Sequence, residues 1–140
     1  MSTQDLPLTG VRVIEMTHMV MGPTCGMVLA QLGAEVIKVE PPAGDKTRSL
    51  GGMGISFFPL FNRGKRSVVL DFAKAEDRET MHRLLASADV FLENFRDGIF
   101  VESICCEAIN RFGRQRDDFA RAQKFRCAAD SFLKKLRRVC

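Results

Sequence analysis

The sequence predicts an α/β fold, an open and mostly parallel Rossmann-like sheet with flanking helices, and three observations carry that reading. Short apolar runs rich in β-branched residues alternate with longer stretches of helix formers. Glycine or proline punctuates the chain between them. The resulting order, β-α-β-loop-β-α-β, implies parallel strands joined by right-handed crossovers.

Val11 to Met16 (VRVIEM) reads as a buried strand, with Gly22 and Pro23 breaking the chain soon after it. Thr24 to Leu32 (TCGMVLAQL) consists mostly of helix formers, and Gly33 follows where a helix C-terminus favours a left-handed residue. Glu35 to Glu40 (EVIKVE) alternates and ends at Pro41-Pro42, which cannot donate to a sheet ladder, so a second strand ends there. Residues 41–56 hold four glycines and two prolines without periodicity and read as a mobile or ligand-covering loop. Ser67 to Asp71 (SVVLD) reads as a third strand. Ala75 to Ala88 reads as a helix with Met81, Leu84 and Leu85 inward, and Val90 to Glu93 (VFLE) as a fourth strand. Ligands of such folds sit at the carboxyl ends of the strands.

With 140 residues, 46% hydrophobic and 27% charged, the chain fits one globular domain. No stretch approaches the ~20 apolar residues of a membrane span, and MSTQDLPLTG is not a secretory leader. The expected setting is cytoplasmic, with the mitochondrial matrix left open. The net charge of +4 is local: residues 1–100 carry 11 basic and 12 acidic residues, residues 101–140 carry 10 and 5. Ten of eleven glycines and all five prolines precede residue 101, whereas four of five cysteines follow it. Two compositions thus meet near Phe100, dividing the chain into residues 1–98 and a basic tail, 99–140, read as helical or disordered. An odd cysteine count with Cys105 beside Cys106 argues against a disulfide framework and for free thiols in a reducing compartment.

Candidate chemistry lies at the strand ends. No GxGxxG follows strand one, which runs instead into Thr17-His18-Met19-Val20-Met21-Gly22-Pro23, so standard dinucleotide binding is disfavoured. Gly64-Lys65-Arg66-Ser67 resembles the end of a phosphate loop, yet Pro59 replaces the earlier glycine and a strand follows. Arg63, Lys65 and Arg66 form a cationic knot that either holds phosphates or lines a solvated turn. His18 and His82 read first as structural histidines, and with no clustered cysteines no metal site is expected. Asp71 and Glu93 are either acid–base groups or caps of the turns that follow them.

Three segments carry a resemblance: LTGVRVIEMTHMVMGPTCGMVLAQLGAEVIKVEPPAGDKTR, NRGKRSVVLDF and ADVFLENFRDG. In this order they closely resemble the start of the family III CoA-transferases over Leu8 to Gly98, a group that includes formyl-CoA, carnitine and succinate–hydroxymethylglutarate CoA-transferases. The resemblance implies transfer of coenzyme A between an acyl-CoA thioester and a carboxylic acid, without metal or redox cofactor. It implies an aspartate nucleophile that becomes an aspartyl-CoA thioester, in a homodimer of interlocked subunits. It puts CoA contacts on Val20 and Met21, on Leu70, Asp71, Phe72 and Ala73, and on Asn94, Phe95 and Arg96. Departures fall at Val20-Met21, at Pro41 and at Ala73, where the family commonly has smaller or polar, basic and lysine residues. After Gly98 the family pattern stops. The expectation is a truncated or frame-shifted product whose nucleophilic aspartate would lie beyond residue 140. A stand-alone CoA- or nucleotide-binding module is the alternative. An interaction protein is a third: Phe125, Ala128, Phe132, Leu136 and Val139 share a helical face beside Lys134, Lys135, Arg137 and Arg138. An incidental helix is the favoured reading of that stripe, so neither nucleic acid nor membrane is an expected partner.

Overall fold

The computed structural model describes residues 6–95. The elements are β1 (Arg12–Met16), α1 (Met21–Gln31), β2 (Glu35–Glu40), two 3-10 turns (Lys46–Ser49 and Gly52–Ser56), α2 (Phe57–Phe61), β3 (Arg66–Val69), α3 (Ala75–Ala86) and β4 (Val90–Glu93). Every strand pair is parallel, in the order β3-β2-β1-β4. The expected open α/β sheet is therefore present, with all four carboxyl ends on one edge. Arg96 and residues 99–140, for which the sequence also raises expectations, lie outside the described residues.

Side chains alternate across the sheet, so its two faces are built differently. One face is apolar: Ile14, Met16, Val39 and Leu70 pack with Met81 and Leu85 of α3. The other is apolar only at one end, where Val13, Val36 and Ala34 pack with Leu29 and Ala30 around α1. Farther along that face the strands present Glu15, Lys38 and Glu40, all buried. The α1 and α3 connections run in opposite directions across opposite faces, which gives both the same hand. The order reverses between β1 and β4, the position at which sheets of this kind receive ligands.

β1 starts one residue later and α3 ends two residues earlier than the sequence suggested, and three further elements differ more. α1 begins at Met21, so Gly22 and Pro23 lie in its first turn. A proline is tolerated there because first-turn N–H groups have no helical partner to lose. β3 ends at Val69, although Leu70 N–H still donates to the Glu40 carbonyl at 2.9 Å. The largest difference is at residues 41–56, which are two 3-10 turns rather than an aperiodic loop, followed by a short helix that periodicity did not reveal. Their order comes from charge. Arg48 grips Glu40 through Nε at 2.7 Å and Nη2 at 2.8 Å, while its guanidinium lies 3.6 Å above the Phe58 ring. Ser67 Oγ and the Asp45 N–H also donate to Glu40.

Burial alone would raise the pKa of Glu40. Hydrogen bonds from Arg48, Ser67 and the Asp45 backbone, with the charge of Arg48, outweigh it and hold the value down to about 2, against 4.5 ordinarily. Because the folded value is depressed, the stabilisation is complete above the ordinary pKa and disappears as pH falls through about 2. Arg48→Met should cost about 2 kcal/mol at pH 7, below the full cost of stranding a buried charge because Arg48 itself is half exposed. Urea denaturation at neutral and acid pH checks this: the deficit should shrink towards acid, and a pH-independent deficit would place its origin elsewhere.

Candidate functional site

The loop between β1 and α1, residues 17–20, lies against the residues that follow β4, and Asn94 joins them. Its Oδ1 accepts the His18 N–H at 3.0 Å and its Nδ2 donates to the His18 carbonyl at 2.9 Å. The His18 ring stacks on Phe95 with centroids 4.9 Å apart. Met19 then takes a left-handed backbone, φ 65°, and leaves its side chain exposed. Few residues with a β-carbon adopt that conformation without being held in it. Gly22 closes the turn because nothing larger fits: a Cβ there would lie 2.6 Å from Thr17 Cβ and 2.9 Å from Asn94 Cγ.

Beneath this loop lies a balanced cluster of four buried charges, Lys65, Glu15, Lys38 and Asp45. Glu15 Oε1 accepts from Thr17 Oγ1 at 2.6 Å and from Lys65 Nζ at 2.9 Å, with Lys38 Nζ at 3.4 Å. Its Oε2 is 2.7 Å from Lys65 Nζ. Lys38 Nζ reaches onward to the Thr17 carbonyl at 2.7 Å and to Asp45 Oδ2 at 3.0 Å. Lys65 Nζ donates to the Pro23 carbonyl at 2.8 Å and to Asn62 Oδ1 at 3.0 Å. Burial lowers the Lys65 pKa, and the hydrogen bond and charge of Glu15 oppose it. For Asp45 the sign is reversed: burial raises the pKa, but Thr47's hydroxyl and backbone N–H and the Lys38 ammonium carry it below the ordinary value. Gly26 is tied to the cluster sterically, since a Cβ at that position would fall on Glu15 Oε2.

The expected contact residues divide into two groups. Val20, Met21, Asn94 and Phe95 follow the paired strands β1 and β4. Leu70, Asp71, Phe72 and Ala73 follow β3 on the same edge but three strand spacings from β4, roughly 14 Å away. Leu70 buries its side chain in the core, so only its backbone is available to a ligand. Asp71 and Glu93 act as caps: Asp71 Oδ1 accepts the Ala73 N–H at 3.1 Å, and Glu93 Oε2 accepts the Phe95 N–H at 2.9 Å. The cationic knot is dispersed. Arg63 is exposed, Lys65 turns inward to Glu15, and Arg66 pairs with Glu35 at 2.8 Å. Adjacency in sequence misled here because neighbouring residues of an extended segment point to opposite faces. Cys25 is exposed at the surface, and partial burial, then the charge of Glu15, pushes its thiol above the ordinary value.

Periodicity did not reveal Thr17, Gly22, Lys38 and Lys65 as parts of this site. One signal was available, since Glu15 and Lys38 both lie inside strands that read as buried, and a charge there requires a partner. Among the described residues no cluster of three or more His, Cys, Asp or Glu side chains is arranged to hold a metal ion. No described helix is long and apolar enough to cross a membrane.

Comparison with known proteins gives this edge a family. The model of CoA-transferase family III matches residues 8–103. Succinate–glutarate CoA-transferase of Agrobacterium fabrum is 41% identical over 111 residues, 71% of this chain and 28% of that protein. Formyl-CoA:oxalate CoA-transferase of Bradyrhizobium diazoefficiens is 41% identical over 97 residues, 66% of this chain and 23% of that protein. The crystal structure of a hypothetical protein from Mycobacterium tuberculosis aligns with a TM-score of 0.67 at 42% identity, covering 76% of this chain and 30% of the other. The chain spans about a quarter of the length of the curated relatives it matches. A family match over most of the chain, with the same sheet in a solved relative, means that the chain belongs to CoA-transferase family III.

Proposed function

We infer that the described residues form the coenzyme A-binding edge of a transferase that moves CoA between an acyl-CoA thioester and a carboxylic acid. The observation that carries the reading is the Asn94 clamp on His18, which fixes the loop after β1 against the end of β4 at the point where the strand order reverses. The relatives' names support it independently. Proteins named for succinate and glutarate, and for formyl-CoA and oxalate, are equally identical to this chain, and what those names share is CoA rather than the acyl group. The segment therefore serves the common part of the substrate.

The proposed contacts are Val20, Met21, Asn94 and Phe95 at the ends of β1 and β4, Leu70 to Ala73 at the end of β3, and Arg96, which lies outside the described residues. CoA is long enough to run between the two groups along one edge. In the full reaction an aspartate carboxylate attacks the acyl-CoA carbonyl, the C–S bond breaks, and CoA thiolate leaves a mixed anhydride. The thiolate then attacks the aspartyl carbonyl, releasing the donor carboxylate and storing CoA as an aspartyl thioester for the acceptor. Splitting the exchange in this way replaces one difficult step with easier ones. The described carboxylates on the carboxyl-end side of the strands are already engaged. Asp71 and Glu93 cap their own turns, and Glu15, Glu40 and Asp45 are buried in ion pairs. That observation favours a second reading, in which the described residues bind CoA without catalysing its transfer.

Calorimetric titration of the 140-residue chain with CoA tests the binding. Saturable heat is expected, and its absence would overturn the reading. Arg96→Ala should weaken binding by about 1.5 kcal/mol or more, as for a charge-assisted hydrogen bond to phosphate, against less than about 0.5 kcal/mol for Arg83→Ala on exposed α3. Equal losses would show that the strand-four end is not the phosphate-facing end. Turnover separates the two readings: incubation with succinyl-CoA or formyl-CoA and dicarboxylates, followed by hydroxylamine, should trap no aspartyl hydroxamate. A hydroxamate with turnover would establish the full transferase reaction in this chain.

A further inference from the structure

The family reading gives the two buried lysines no role, and neither has access to a ligand. Their acceptors nevertheless lie at chosen places. Lys38 donates to the carbonyl of Thr17, the residue where β1 gives way to the loop. Lys65 donates to the carbonyl of Pro23, in the first turn of α1 where the loop ends. Glu15 binds both ammonium groups, and Thr17 Oγ1 as well. We propose that Lys38 and Lys65 are positioning residues for the CoA-binding edge, holding the start of the 17–20 loop and the first turn of α1 through a shared carboxylate while Asn94 holds His18. The proposal rests on the CoA reading for its function but not for its geometry.

Two further observations support it. Met19 keeps its left-handed backbone in mid-loop, a conformation that persists only where the surroundings hold it, and the three clamps bracket that residue. Gly22 and Gly26 bring α1 close enough for the clamps to reach, one against Thr17 and Asn94 and the other against Glu15. Loop order supplied before the ligand arrives raises affinity, because binding no longer bears that ordering cost.

The test separates positioning from simple stability. Lys65→Met leaves Glu15 buried with one cation fewer and is expected to lower the melting temperature. Lys65→Met with Glu15→Gln removes the stranded charge and should recover much of it, yet leaves the Pro23 carbonyl unheld. Leu85→Ala, on the opposite face, is the stability control. Positioning predicts that both lysine variants bind CoA about tenfold more weakly, whereas the control stays within about twofold at a similar melting temperature. Recovery of CoA affinity together with melting temperature in the double variant would overturn the proposal. Amide exchange provides an arm without CoA. Exchange at His18 and Thr24, relative to Ile14, should accelerate in both lysine variants and not in the control, and unchanged ratios would equally overturn it. Should the wild-type chain bind no CoA, the functional reading falls while the exchange arm still decides the clamp.

Discussion

A carboxylate shut off from water lies between two ammonium groups on one face of a four-stranded sheet, and the candidate site takes its shape from how that charge is balanced. Glu15 is fully buried, and so is Lys38. Removing such groups from water costs several kcal/mol each, so the cluster is weak evidence for stability compared with well-packed apolar residues. Its value is in direction. An apolar contact is indifferent to rotation, whereas an ammonium with three acceptors fixes where each must be. Here one acceptor of each ammonium is a backbone carbonyl, that of Thr17 at the start of the loop for Lys38 and that of Pro23 in the first turn of α1 for Lys65. The opposite face, where α3 packs on Ile14, Met16 and Leu70, carries the ordinary hydrophobic contribution and leaves the α1 face free for this polar arrangement.

The same division explains what could be read from sequence. β2 and β4 have their expected limits because nothing competes with the local signal: Pro41 stops one, and Asp89, whose carboxylate accepts the Arg12 N–H, precedes the other. The start of α1 was hidden because Pro23 reads as a breaker when its helical position is unknown. Residues 41–56 looked structureless because their order is non-local: Arg48 meets Glu40 across eight positions, and Lys38 meets Asp45 from the adjoining strand. No periodicity reports an ion pair that closes a loop.

Within the site, legibility followed the same rule. Val20, Asn94 and Phe95 were named by the family resemblance, and periodicity reports only that they follow the ends of strands. The caps formed by Asp71 and Glu93 are local and were among the alternatives that sequence alone leaves open. The buried cluster pairs residues 23 and 50 positions apart and could not be read as a cluster. Lys65 is the instructive case. Beside Arg63 and Arg66 it looks like one of three surface cations, yet a turn at Gly64, φ 77°, sends it into the interior and its neighbours outward.

Strain and clamping at the loop are therefore linked. Holding Met19 in the left-handed region costs about 1 kcal/mol relative to an ordinary backbone. Glycine at that position would remove the cost in the folded chain, but it would widen the conformations open to the unfolded chain and to a loosened loop. A methionine there is tolerable only because Asn94 fixes the residue before it and the two lysines fix the loop ends. In return the side chain is left exposed, as are those of Met21 and Phe95. The buried charges thus act on the surface without reaching it: their geometry selects one conformation of a strained loop at the carboxyl end of β1.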